Sequence, residues 1–102
     1  MEKAKYGKIY KIYSPQTDQI YIGSTFLNMS KRFGKHKTNY ECYKKGLYHY
    51  ISSFDILKYG DSYYEVLDRQ KYNNKESLRI KENEFMEMYK NNIVNIRKAI
   101  KE

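Results

Sequence analysis

The stretch Lys8-Ile9-Tyr10-Lys11-Ile12-Tyr13, followed by Ser14-Pro15-Gln16-Thr17-Asp18 and then Gln19-Ile20-Tyr21-Ile22-Gly23, decides how the chain is read. Its flanks are β-branched and aromatic residues that alternate imperfectly with Lys8 and Lys11, the pattern of a half-buried strand. The centre is proline and polar residues, which supply a turn. Together they predict a β-hairpin, residues 8–13 against 19–23.

Downstream, Asn28 or Ser30 offers an N-cap. Met29, Phe33, Tyr40 and Tyr43 then recur at helical spacing up to about Lys45, with Gly46 as the stop and Gly34 as a local weakness. Tyr50, Ile51, Phe54 and Leu57 predict a second helix ending at Tyr59-Gly60-Asp61, where Gly60 suits a left-handed cap. Residues 63–67 read as a third strand. A last helix is expected from near Asn73, with Glu76 completing a capping-box-like pair, to about Lys90. Ile93 to Arg97 should be short and extended or irregular. The order ββααβα predicts an α+β fold, an α/β sandwich whose small, mostly antiparallel three-stranded sheet is flanked by helices, in a single domain over residues 1–102.

Composition narrows the function. No run of about 18 apolar residues is present, so no membrane helix is expected. Met1-Glu2-Lys3-Ala4-Lys5 lacks the apolar stretch of a signal peptide, which makes an intracellular, non-secreted protein the expectation. Cys42 alone makes neither an internal disulfide nor a zinc site. Lys and Arg total 20 against 12 Asp and Glu, a net charge of +8 that suits a polyanionic partner. Lys, Tyr, Ile and Asn make up 47 of 102 residues, however, and all four have A/T-rich codons, so genome composition explains the same surplus.

Three residues stand out on the predicted helices. Glu82 falls within the apolar stripe of Leu78, Phe85, Met86 and Tyr89, whereas Glu84 and Glu87 lie away from it. A carboxylate there requires a partner, either a Lys or Arg on the packed neighbour or a bound cation. Arg32 and His36 are one turn apart, and His36 shares the apolar stripe of its helix. Read alone, Arg32 fits a basic face with Lys31, Lys35 and Lys37, and His36 fits a core histidine. His49 is expected in an exposed loop.

Taken in order, these elements resemble the GIY-YIG nuclease superfamily. Lys8-Ile9-Tyr10, ten residues, then Tyr21-Ile22-Gly23 is similar to its signature, with Lys8 where the family name has glycine and Gly7 one position out of register. Arg32 followed by His36 resembles its R-x-x-x-H element, Glu82-Asn83-Glu84-Phe85-Met86 its late helical glutamate, and Asn95-Ile96 its closing asparagine. The match spans residues 7–97.

The resemblance implies a metal-dependent endonuclease that cuts or nicks DNA. It assigns Glu82 to a single divalent cation, Mg²⁺ or Mn²⁺, and Arg32 to the scissile phosphate through its planar fork. Tyr10 becomes the candidate general base or water-positioning group, although a phenol with a pKa of about 10 is a poor base at neutral pH. Tyr21 and His36 become further hydrogen-bonding or proton-relay groups, and Gly23 and Asn95 supports. Ser24 stands where some relatives carry lysine. Lys31, Lys35 and Lys37 are candidates for DNA backbone contacts, as are Lys44, Lys45 and Lys58. A noncatalytic DNA-binding module on a degenerate nuclease fold is the competing reading; an RNA-binding protein is a third, without an RNP-like motif to support it. No recognition domain fits into 102 residues, so weak specificity, a homodimer or a targeting partner protein is expected.

Overall fold

The computed structural model describes residues 5–95 and places the first strand at the centre of a three-stranded sheet. Strand β1 (Lys5–Tyr13) pairs antiparallel with both β2 (Tyr21–Thr25) and β3 (Tyr63–Tyr72), giving the order β2-β1-β3. Helices α1 (Met29–Lys44), α2 (Phe54–Leu57) and α3 (Lys75–Met88) complete the expected ββααβα order. The readings placed on residues 1–4, Ile96 and Arg97 lie outside the described residues.

Being central, β1 is covered on both faces and is not the half-buried strand its lysines suggest. Tyr10 and Ile12 pack with Met29, Phe54, Ile56 and Leu57 under α1 and α2, while Ile9 packs with Ile22, Leu78 and Met86 under α3. Ile9, Tyr10 and Ile12 are all fully buried. Each such side chain contributes roughly 1.5–3 kcal/mol. The lysines between them lead their charges outward: Lys8 Nζ donates to the Leu27 carbonyl at 2.9 Å, and Lys11 pairs with Glu65 at 3.4 Å.

Three predicted boundaries move for identifiable reasons. The second helix shrinks to the single turn of α2, preceded by i→i+3 bonds from Phe54 to Ile51 and Asp55 to Ser52. Ser52 and Ser53 favour turns over helix interior. The third strand extends to Tyr72 because the full length of β1 is available to pair with it. Its added residues are mostly exposed and polar, as an edge strand allows. A bulge sits where the register steps from Ile9↔Asp68 to Tyr10↔Val66, leaving Leu67 unopposed beside Tyr10. Strand β2 begins at Tyr21, because Ile20 instead bridges Ile93 in parallel.

The helix ends follow their caps. Asn28, not Ser30, caps α1, its side chain accepting from the Ser30 and Lys31 amides at 2.9 and 3.4 Å. At the other end the Gly46 amide donates to Tyr43 and the Leu47 amide to Cys42, a Schellman closure with Gly46 at φ +78°. Gly60 is likewise left-handed at φ +86°. Asn74 rather than Asn73 caps α3, accepting from the Ser77 amide at 2.8 Å, so Glu76 is a first-turn acid and no capping-box partner; α3 ends at Met88.

Gly34 is an exposed position inside α1, and a Cβ added there meets nothing within 4 Å. Gly34→Ala is therefore expected to stabilise the fold by roughly 0.5–1 kcal/mol, seen as a higher urea midpoint at unchanged m-value.

Candidate active site

Register decides which residues meet. Tyr10 lies opposite Gly23 and Ile12 opposite Tyr21, so these four share the sheet face beneath α1. A Cβ on Gly23 would come within 2.5 Å of the Tyr10 ring and hydroxyl and 2.9 Å of the Tyr21 ring. The glycine makes the space in which both tyrosines stand.

Helix α1 supplies the next pair. Arg32 Nε donates to the Tyr10 hydroxyl oxygen at 3.1 Å, and that hydroxyl lies 2.8 Å from His36 Nε2. His36 Nδ1 lies 2.8 Å from Ser53 Oγ, just before α2. One assignment satisfies every group: Tyr10 donates to Nε2 of a neutral imidazole, whose Nδ1–H donates to Ser53. The Ser53 hydroxyl makes no helix-capping bond and is free for this role. Tyr21 packs beside them, its ring centroid 5.3 Å from His36 and 6.4 Å from Tyr10. Its hydroxyl makes no hydrogen bond among the described residues.

The opposite face of β2 presents Ser24 to α3. Its hydroxyl donates to a Glu82 carboxylate oxygen, so the partner that Glu82 requires is a neutral hydroxyl. Arg32 and Ser24 both line an open cleft of about 460 Å³, whose far wall is Lys75, Leu78 and Arg79 of α3. Asn95 braces β2 from its outer edge, its Oδ1 accepting from the Ile22 amide at 3.1 Å and its Nδ2 donating to the Ile22 carbonyl at 2.8 Å.

Burial sets the charge states. It pushes the Tyr10 phenol above its ordinary pKa, with the Arg32 charge opposing, and pushes Tyr21 up as well. It also raises the Glu82 carboxyl, which the Ser24 hydroxyl and then the Arg79 and Arg32 charges pull back down. His36 is pushed down to about 3, first by burial and then by Arg32.

The remaining candidates divide. Lys31 and Lys35 line a groove of about 530 Å³ along the outer side of α1, next to the cleft, with Leu27 common to both. Lys37 instead lies over the Phe33 ring at 5.1 Å, Lys44 pairs with Glu41 at 3.0 Å, and Lys58 lies over Tyr59. His49 is exposed and stacks on Tyr48. The sequence reading missed Ser53, Lys75 and Arg79, none of which carries a pattern of its own.

The fold is shared with a solved endonuclease catalytic domain. The catalytic domain of the intron endonuclease I-TevI, a GIY-YIG homing endonuclease solved in a Glu-to-Ala mutant form, is similar over 93% of this chain and 97% of that one, with a TM-score of 0.72 and 24% sequence identity. At that identity the likeness is one of fold, and it is the fold that the sequence resemblance implies. No protein-family model and no curated protein matches the chain.

Two expectations follow from this geometry. Gly23→Ala should displace the Tyr10 ring and cost roughly 1–3 kcal/mol, read as a lowered thermal midpoint. His36 is neutral when folded and titrates near 6.5 when unfolded, so the unfolded chain takes up the proton first. Its share of stability is intact above about pH 6.5 and falls at roughly 1.4 kcal/mol per pH unit between there and about 3. Urea unfolding across that range should show a shallower acid loss for His36→Gln than for the wild type; equal slopes would contradict a buried neutral imidazole.

Proposed function

We propose that this chain is a metal-dependent endonuclease that hydrolyses phosphodiester bonds in DNA. The observation that carries the reading is a guanidinium on the cleft wall and a carboxylate bonded to another residue of that wall, each held by a neutral partner: Arg32 by Tyr10, and Glu82 by Ser24. Neither charge is cancelled by a contact ion pair among the described residues. The fold shared with the catalytic domain of an intron endonuclease supports the same reaction class.

Among the described residues no three His, Cys, Asp or Glu side chains gather. Such a donor set does not suit a closed zinc site. It suits Mg²⁺, or Mn²⁺, which takes one or two carboxylates and otherwise water and phosphate oxygens. Glu82 would hold that ion, whose charge, when bound, polarises the phosphoryl oxygens.

Arg32 spends only Nε on Tyr10, leaving the terminal nitrogens of its fork for the scissile phosphate. Tyr10 is fully buried and its oxygen is occupied on both sides, so we assign it to positioning Arg32 rather than to proton abstraction. His36 and Ser53 fix Tyr10 in turn. Tyr21 has the uncommitted hydroxyl, and it is the phenol we assign to bond water or a phosphate oxygen. Gly23 and Asn95 hold the strand that presents it. No helix among the described residues is long and apolar enough to cross a membrane.

Supercoiled plasmid tests the proposal. The wild type should nick or linearise it with Mg²⁺ and stop on chelation, and folded Glu82→Gln should be slower by on the order of 100-fold or more, the size of losing one electrostatic stabiliser. Cleavage that survives both changes would remove Glu82 from the metal role. Binding without cleavage in either cation would return the noncatalytic DNA-binding module.

A further inference from the structure

We propose that Lys75 and Arg79 form a second phosphate subsite, which grips the DNA backbone beside the bond held at Arg32; this rests on the nuclease reading above. The two residues are four apart on α3 and therefore neighbours on one face, and both line the cleft opposite Arg32. Their pairing differs from that of Lys81 on α3 and of Lys90 just beyond its end. Lys81 and Lys90, outside the cleft, are matched by Glu84 and Glu87 at 3.4 and 3.3 Å. Lys75 and Arg79 have no contact ion pair among the described residues, and no carboxylate lines the cleft.

Charge counting then asks for more than one phosphate. A single phosphodiester carries one negative charge, which Arg32 alone balances. Two further cations on the facing wall, with Glu82 beside Arg79 offsetting one charge, still leave a surplus of one that the next phosphate of the same strand would neutralise. Contacts of that kind fix the position and register of the strand and carry no base information. The subsite thus recognises a polynucleotide backbone and is indifferent to sequence.

The test measures duplex binding by Glu82→Gln protein, alone and with Lys75→Ala plus Arg79→Ala, between about 50 and 200 mM salt. Both substituted residues are exposed, and circular dichroism would verify the fold. Losing the one phosphate held there should reduce the slope of log K against log salt by about 0.9, equally for unrelated sequences. Arg79→Lys, which keeps the charge, should restore its share, and Lys90→Ala should leave the slope unchanged. An unchanged slope in the double variant, with wild-type cleavage intact, overturns the subsite and leaves the nuclease reading standing. Absence of both duplex binding and wild-type cleavage overturns the two together.

Discussion

Tyr10 is fully buried, yet its hydroxyl accepts from Arg32 and donates to His36. Burying a hydroxyl without partners costs a few kcal/mol, so the core tolerates this tyrosine only while α1 brings both residues to it. The dependence is mutual. Arg32 has no contact carboxylate among the described residues to hold it, and the fixed phenol supplies the orientation instead. One hydrogen-bonded chain, Arg32-Tyr10-His36-Ser53, therefore ties β1, α1 and the start of α2 together and also aims the guanidinium into the cleft.

Strand β2 has the complementary position. It is an edge strand whose two faces look at different helices, with Tyr21 and Gly23 toward α1 and Ile22 and Ser24 toward α3. A site that takes a guanidinium from one layer and a carboxylate from the other is reached here across β2, the strand at the edge of the sheet. Gly23 permits it on one face and Ser24 on the other, because neither projects bulk between the tyrosines and Glu82.

Much of this was legible in the sequence because it rests on short-range geometry. The i, i+4 spacing of Arg32 and His36, the placement of Glu82 inside an apolar stripe, the stop at Gly46 and the left-handed Gly60 are local properties, and the structure keeps all of them. Tertiary pairing decided what was not legible. The length of β3 is set by the partner β1 offers, and two-sided burial of β1 by its central place; neither is written in the strands themselves. Ser53 looks like any helix-start serine until His36 claims its hydroxyl. Lys75 and Arg79 look like solvated charges until the cleft opposite them is seen.

The Asn95 amide pairs with the backbone of Ile22, a partner 73 positions away, and the Val94 and Asn92 backbones bond Ile20. Contacts of such sequence separation form late, because the loop must close before they return any stabilisation. The strand that carries Tyr21 and Ser24 is thus finished from the far end of the described chain. Until that clasp closes, the outer edge of β2 lacks these backbone bonds, and the strand that carries Tyr21 and Ser24 is paired on one side only, to β1.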